Sequence, residues 1–153
     1  MASGTQESIR IDATPREVLD VILAVEDYPQ WSPDMKKVEI LDVDADGWPR
    51  QVRFTVDAGL ISDTYVLAYT WDVNMDTDEA DDGTGEVVWT LVESSKLKAL
   101  DGRYVIAADG EATQVTYLLT VDVAVPLPGM VRRKAEKSIV STALSGLRRR
   151  VEG

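Results

Sequence analysis

Any chemistry in this chain of 153 residues has to be done without histidine and without cysteine. A Ser-His-Asp triad, a His-activated thiol, His-ligated zinc or iron and Cys-ligated zinc are all excluded, because each needs an imidazole or a thiolate. No catalytic set, metal site or cofactor is predicted, and acid/base work falls to Asp, Glu, Lys or Tyr. The residues of interest are therefore aromatic and carboxylic. Trp31, Phe54, Tyr69, Trp71, Trp89, Tyr104 and Tyr117 bring large apolar surfaces. All but Phe54 add a polar tip that can fix one end of an apolar guest. Glu93 falls on the same alternation as Val87, Trp89 and Leu91. It reads either as a carboxylic acid beside a pocket or as a strand-end residue that has slipped to the solvent side to meet water, Arg103 or Lys98.

Three further charge patterns have plainer accounts. Asp42-Val43-Asp44-Ala45-Asp46-Gly47 matches the first half of a calcium loop, but position twelve is Arg53 where a bidentate Glu belongs, so Asp46-Gly47 is read as a hairpin turn. Asp76 to Asp82 packs five carboxylates into seven residues, the composition of a solvated loop tip. The segment from Gly129 to Gly153 holds seven basic residues against Glu136 and Glu152, giving +5 on the segment and −16 on the rest of the chain. Arg148, Arg149 and Arg150 complement a helix C-terminus. A transient contact of this basic face with an anionic membrane or protein is the sharper reading.

Hydrophobic periodicity supplies the elements that hold these residues. Glu7, Ile9 and Ile11 alternate with Ser8, Arg10 and Asp12 over a first strand from Gln6 to Asp12. Thr14-Pro15-Arg16-Glu17 is a capping box with proline at the first helical position, opening a helix that runs to about Val25. Tyr28-Pro29-Gln30-Trp31 makes a second, tight helical turn. The period then becomes two, with strands expected at Lys37 to Val43, Arg50 to Ala58, Ser62 to Val73, Gly85 to Ser94, Lys98 to Ala108 and Thr113 to Val125. Their short connections require antiparallel neighbours. Parity turns Val52, Phe54 and Val56 inward, with Tyr65, Leu67, Tyr69 and Trp71, then Val87, Trp89, Leu91 and Glu93, then Leu100, Tyr104 and Ile106, then Val115, Tyr117, Leu119, Val121 and Val123. From Met130 to about Val151, Val131, Ala135, Ile139, Ala143, Leu147 and Val151 recur every fourth residue, with Val140 and Leu144 beside them. They define an amphipathic helix of about 21 residues, roughly 30 Å long and able to cross the concave side of the sheet.

A length of 153 residues with 44% hydrophobic composition is enough for one α+β domain spanning 1–153. The formal charge of −11 and isoelectric point near 4.4 repel phosphate, so no nucleic-acid partner is expected. No signal-peptide pattern opens the chain and no apolar run reaches the ~18 residues of a membrane span, which predicts a cytoplasmic protein. A monomer or homodimer is expected.

The order of elements, with Ile11-Asp12-Ala13-Thr14-Pro15, Glu17-Val18, Tyr28-Pro29-Gln30-Trp31, Leu100-Asp101-Gly102-Arg103-Tyr104, the strand from Thr113 to Val123 and Pro126-Leu127-Pro128-Gly129, resembles the helix-grip superfamily. That group contains START lipid-transfer domains, birch-pollen-allergen-like proteins and the polyketide cyclase/dehydrase and coenzyme Q-binding families. The resemblance implies a curved seven-stranded antiparallel sheet around a long C-terminal helix, with two short helices after the first strand. It also implies a deep apolar cavity between sheet and helix. On that basis the ligand-binding set is Trp31 from the second helical turn, near the cavity mouth, Phe54, Leu67, Tyr69, Trp71, Trp89, Leu91, Glu93, Tyr104, Tyr117 and Leu119 from the strands, and Val131, Ala135 and Ile139 from the long helix.

The leading functional expectation is binding or transport of an apolar small molecule such as a lipid, an isoprenoid quinone or a polyketide. An aromatase/cyclase or dehydratase using tyrosines and Glu93 is the alternative, and a ribosome- or protein-interaction module is the third. The absence of histidine departs from what an enzyme of this family would be expected to carry.

Overall fold

The computed structural model describes residues 4–57, 62–75, 82–125 and 127–153. Strand β1 (Thr5–Ile11) leads into helix α1 (Pro15–Leu23), a 3-10 turn over Val25–Asp27 and the short helix α2 (Tyr28–Trp31). Six strands follow: β2 (Met35–Val43), β3 (Pro49–Asp57), β4 (Ser62–Val73), β5 (Gly85–Ser94), β6 (Leu97–Asp109) and β7 (Ala112–Val123). Helix α3 (Gly129–Glu152) ends the architecture. Its 24 residues make it about 36 Å long.

Local chemistry accounts for the boundaries. Thr14 Oγ1 accepts the N–H of Glu17 at 3.2 Å and Glu17 Oε1 accepts the N–H of Thr14 at 3.1 Å, completing the capping box. The helix stops short of the expected Val25 because Ala24 leaves helical geometry at φ −79°, ψ 66°, and Asp27 N then bonds Ala24 O at 3.0 Å to start the 3-10 turn. At the β2–β3 hairpin Asp44 Oδ1 accepts the N–H groups of Asp46 and Trp48 at 2.9 and 3.0 Å, while Asp42 is bound by Arg50. These carboxylates build a turn, as the sequence suggested. The acidic run falls largely outside the described residues. Its last member, Asp82, meets Arg16 Nη1 at 3.2 Å.

The sheet is seven-stranded and antiparallel throughout, in the order β1-β7-β6-β5-β4-β3-β2. Strands β2 to β7 pair with their sequence neighbours, and β1 closes the far edge on β7. The chain between β1 and β2 therefore crosses the inner face, which places α1 and α2 there with α3. Helix α3 lies against β1, β7 and α1. Its buried line is Glu136, Val140, Leu144 and Leu147, with Gly146 beside them. Val140, Leu144 and Leu147 belong to the expected apolar face, whereas Val131, Ala135, Ile139 and Ala143 of the same face are half-buried. Gly146 eases this seating. A Cβ there would lie 3.1 Å from both Trp31 Cε3 and the Trp31 carbonyl oxygen, a tight contact that α2 would have to relieve by a few tenths of an ångström.

Candidate ligand cavity

Between the inner face of the sheet and the helices α2 and α3 lies a cavity of about 110 Å³. Its walls are supplied by α2, the start of β2, strands β3 to β7 and the middle of α3. All five tyrosines of the chain, Tyr28, Tyr65, Tyr69, Tyr104 and Tyr117, line it, as does the single phenylalanine, Phe54. Aromatic packing makes this wall continuous. Ring centroids lie 6.2 Å apart for Tyr28–Phe54, 5.7 Å for Phe54–Tyr65, 5.9 Å for Tyr69–Trp89, 5.4 Å for Trp89–Tyr104 and 4.8 Å for Tyr104–Tyr117. Offset and edge-on contacts of this kind hold rings in place beyond what area burial alone does.

The polar groups in this wall are neutral hydroxyls. Burial pushes the phenols of Tyr28, Tyr65, Tyr69, Tyr104 and Tyr117 above their ordinary value, because the phenolate would be poorly solvated there. Repulsion from neighbouring phenolates adds to the effect at Tyr28, Tyr69 and Tyr117, and Asp63 adds to it at Tyr65. Tyr28 Oη donates to the Ile22 carbonyl, which ties α2 to the end of α1. The hydroxyls of Tyr65, Tyr69, Tyr104 and Tyr117 make no hydrogen bond to another described residue, and the buried Trp31 Nε1 has no partner among the described residues either. No Lys or Arg lines the cavity, and its one charged residue is Asp34. Thr142 is exposed and Trp31, Ser32, Asp34 and Met35 are half-buried, so the cavity reaches the surface between α2, the start of β2 and α3.

The residues expected from the sequence divide sharply. Trp31, Phe54, Leu67, Tyr69, Trp89, Tyr104, Tyr117 and Ile139 meet at the cavity. Trp71 has the expected face but lies past the cavity's end. It stacks on Tyr69 at 5.5 Å, meets Trp48 edge-on at 5.6 Å and donates its Nε1–H to the Pro49 carbonyl at 2.7 Å. Leu91 packs partly buried against the core, and Leu119 is wholly buried in it, 1% exposed. Val131 and Ala135 stand on the half of α3 that precedes the cavity. Glu93 is exposed on the outer side. Leu67 pairs with Leu91 but Val66 pairs with Glu93, so Val92 is a bulge residue and the alternation slips by one.

Sequence reasoning left Tyr28, Ser32, Asp34, Met35, Val56, Tyr65, Leu100, Thr142 and Ala143 out of the ligand set. Parity had already turned Val56, Tyr65 and Leu100 inward, and that signal was sufficient to find them. Asp34 and Thr142 carry no such mark, since a polar residue between α2 and β2 or on the exposed side of a helix looks like ordinary surface.

Residues 11–148 match the family described as polyketide cyclase / dehydrase and lipid transport. A START superfamily protein from Mycobacterium smegmatis superimposes with a TM-score of 0.85 at 23% identity, over 98% of this chain and 97% of that one. The Zhui aromatase/cyclase from Streptomyces sp. R1128 gives 0.76 at 17% identity, over 99% and 94%. A STAR-related lipid transfer protein from Xanthomonas axonopodis gives 0.71 at 18% identity, over 97% and 85%. No curated protein sequence matches. No helix among the described residues is long and apolar enough to cross a membrane. The curved sheet gripping a long C-terminal helix and the match over residues 11–148 agree, and the chain belongs to the polyketide cyclase / dehydrase and lipid transport family.

Proposed function

We propose that the cavity binds a compact, uncharged apolar molecule carrying oxygen acceptors, of the quinone or polyketide-ring class, and that the protein acts as its carrier. The observation that carries this reading is the convergence of all five tyrosines on one cavity lined by no basic residue. A hydroxyl or indole N–H buried without a partner costs about 1–3 kcal/mol. The Trp31 N–H is such a donor, and with four phenols that bond no described residue it favours a guest that brings carbonyl or ether oxygens. A carboxylate guest would meet Asp34 and no cation, which disfavours a free fatty acid. The volume of about 110 Å³ is below the ~300–1,000 Å³ usual for drug-sized ligands and nearer the ~150 Å³ that holds a single benzene ring. A single small ring is therefore the most that sits inside without the wall giving way, and any tail must leave between α2 and α3.

Native mass spectrometry of protein purified without detergent, followed by solvent extraction, tests the reading. A stoichiometric uncharged adduct that is lost on combining Tyr104→Phe with Tyr117→Phe is the expected result. A clean mass together with no saturable quenching of tryptophan fluorescence by duroquinone would overturn it.

The same phenols favour a second reading, a cyclase or dehydratase, because a neutral phenol can donate a proton to a ligand carbonyl and a solved structural neighbour is an aromatase/cyclase. In that case Asp34, the sole lining carboxylate, is the base, and the exposed Glu93 has no part. A poly-β-ketone mimic incubated with wild type and with Asp34→Asn decides the point. Products identical to those formed in buffer alone would sink it.

A further inference from the structure

The surface at the β7–α3 junction has a composition that neither the cavity nor folding explains. Met130 and Val125 are the two most exposed large hydrophobic side chains among the described residues, at 75% and 70%, and Leu127 between them is 44% exposed. Immediately beyond them Arg133, Lys134 and Lys137 stand exposed on α3. None of these three forms an ion pair among the described residues, in a chain with 27 acidic residues against 16 basic ones. Arg132, their neighbour, lies 4.0 Å from Asp122. The β5–β6 turn sits alongside, since Ala124 N bonds the Lys96 carbonyl at 2.9 Å, and it adds the exposed Lys96 and Lys98. Of the acids beside that turn, Asp63 accepts from the hydroxyls of Ser94 and Ser95, and Glu93 stands exposed at the end of β5.

The helix dipole does not account for these cations. Arg149 and Arg150 lie in the last turn of α3, where positive charge is favoured, but Arg132 and Arg133 lie at its N-terminal end, where positive charge is not favoured, and only Arg132 has an acidic partner, Asp122. An exposed apolar cluster and unpaired cations held at a cost point to a partner that supplies both hydrocarbon and negative charge. We propose that the β7–α3 junction docks on an anionic membrane surface. Val125, Leu127 and Met130 enter the interface while Arg133, Lys134 and Lys137 meet lipid phosphates. The −16 carried by the rest of the chain is repelled by the same surface and fixes the orientation, basic helix down. Because Ile139, Thr142 and Ala143 of α3 form part of the cavity wall, docking through α3 sets that wall beside the lipid.

Cosedimentation with vesicles of phosphatidylcholine alone, and of phosphatidylcholine mixed with phosphatidylglycerol, tests this without any cavity ligand, so its failure leaves the cavity reading intact. The wild-type protein pellets with the mixed vesicles and not with the neutral ones. Binding falls when salt is raised from about 0.1 to about 1 M, as the screening length shrinks from about 10 to about 3 Å. Lys134→Gln with Lys137→Gln lowers the partition coefficient roughly 25-fold, at about fivefold per basic residue at an anionic surface. Met130→Ser weakens it several-fold with the salt dependence unchanged. Circular dichroism spectra and urea midpoints equal to wild type certify that both variants are folded. Pelleting that is absent, equal on neutral vesicles or indifferent to the double variant overturns the proposal. So does association with ribosomes but not with vesicles, which would assign the basic face to RNA.

Discussion

The indole of Trp89 occupies the space in which a side chain at residue 102 would stand, its Cζ2 lying 2.7 Å from the position a Gly102 Cβ would take. Trp89 and Gly102 face each other across the β5–β6 pair and are the last residues of that register. Beyond them the strands separate, and Asp101 Oδ1 takes up the freed Leu91 N–H at 2.9 Å. Trp89 lies 5.4 Å from both Tyr104 and Tyr117 and 5.9 Å from Tyr69. The missing side chain of Gly102 thus sets how deep the ring lies and, through it, the shape of the cavity wall.

Gly102→Ala is therefore expected to act twice. The new methyl meets the Leu118 carbonyl at 2.6 Å as well as the indole, and backbone cannot yield as a flexible side chain does. Overpacking of this kind costs about 1–3 kcal/mol, to be read as a shift in the urea midpoint. Because the indole must also move toward the tyrosines, duroquinone affinity falls by more than the stability loss alone explains. Wild-type affinity in the folded variant would separate Trp89 from the cavity's shape.

Tyr104→Phe removes a hydroxyl that has no partner among the described residues and keeps the ring that packs at 4.8 Å on Tyr117. Its effect on stability should be small, with the urea midpoint close to wild type. A ligand hydrogen bond is worth about 0.5–1.5 kcal/mol, so duroquinone should bind about 3- to 10-fold more weakly, while durene, its oxygen-free isostere, should bind unchanged. Titration of tryptophan fluorescence with the two compounds checks this. Equal losses for both would remove the hydrogen-bonding role.

Much of this wall was legible because strand parity is rigid. Phe54, Tyr69, Trp89, Tyr104 and Tyr117 each follow from counting by two within an uninterrupted run. The same count put Glu93 on the inner face, because a bulge at Val92 leaves no trace in composition. It also kept Trp71, which has the right face but lies beyond the cavity's end, since periodicity fixes a direction and not a position along the strand. On α3 the one buried residue ahead of Val140 is Glu136, an acid that no hydrophobic pattern would place inside. Its reason for being there is a backbone donor in β7, a tertiary fact invisible to local sequence.

The phenols also govern behaviour at high pH. Each folded value is raised by burial, whereas in the unfolded chain a tyrosine ionises near 10. Below about pH 10 both states hold the proton and the stability contribution is complete. Above it only the unfolded chain releases protons, so stability falls as pH rises toward the folded values. Each tyrosine contributes about 1.4 kcal/mol per pH unit, and five acting together exhaust an ordinary domain stability of ~5–15 kcal/mol within about one to two units. Absorbance at 295 nm should stay flat through pH 10 and then rise in a single step together with loss of the circular dichroism signal. A separate tyrosine titration centred near 10 in the folded protein would contradict the buried cluster.

Glu136 is 2% exposed and forms no salt bridge among the described residues. Its Oε1 accepts from Thr5 Oγ1 at 3.0 Å and its Oε2 from Val121 N at 2.7 Å. The pairing of β7 with β1 ends at Leu119 opposite Thr5, so Val121 has no strand partner on that edge and the carboxylate takes the place of one. Glu136→Leu keeps the volume but strands the Val121 N–H and the Thr5 hydroxyl. An orphaned buried donor costs about 1–3 kcal/mol, while the desolvation saved by deleting a buried charge works in the opposite direction. Glu136→Gln keeps one acceptor oxygen for Val121 and gives up the charge, so it isolates the second effect. The expected order of urea midpoints is wild type, then Gln, then Leu, with Leu about 1–2 kcal/mol below Gln. Hydrogen exchange at the Val121 amide should accelerate in the Leu variant and stay protected in the Gln variant. A Leu variant as stable as Gln, with Val121 still protected, would mean that the β7 edge is closed by something other than this side chain.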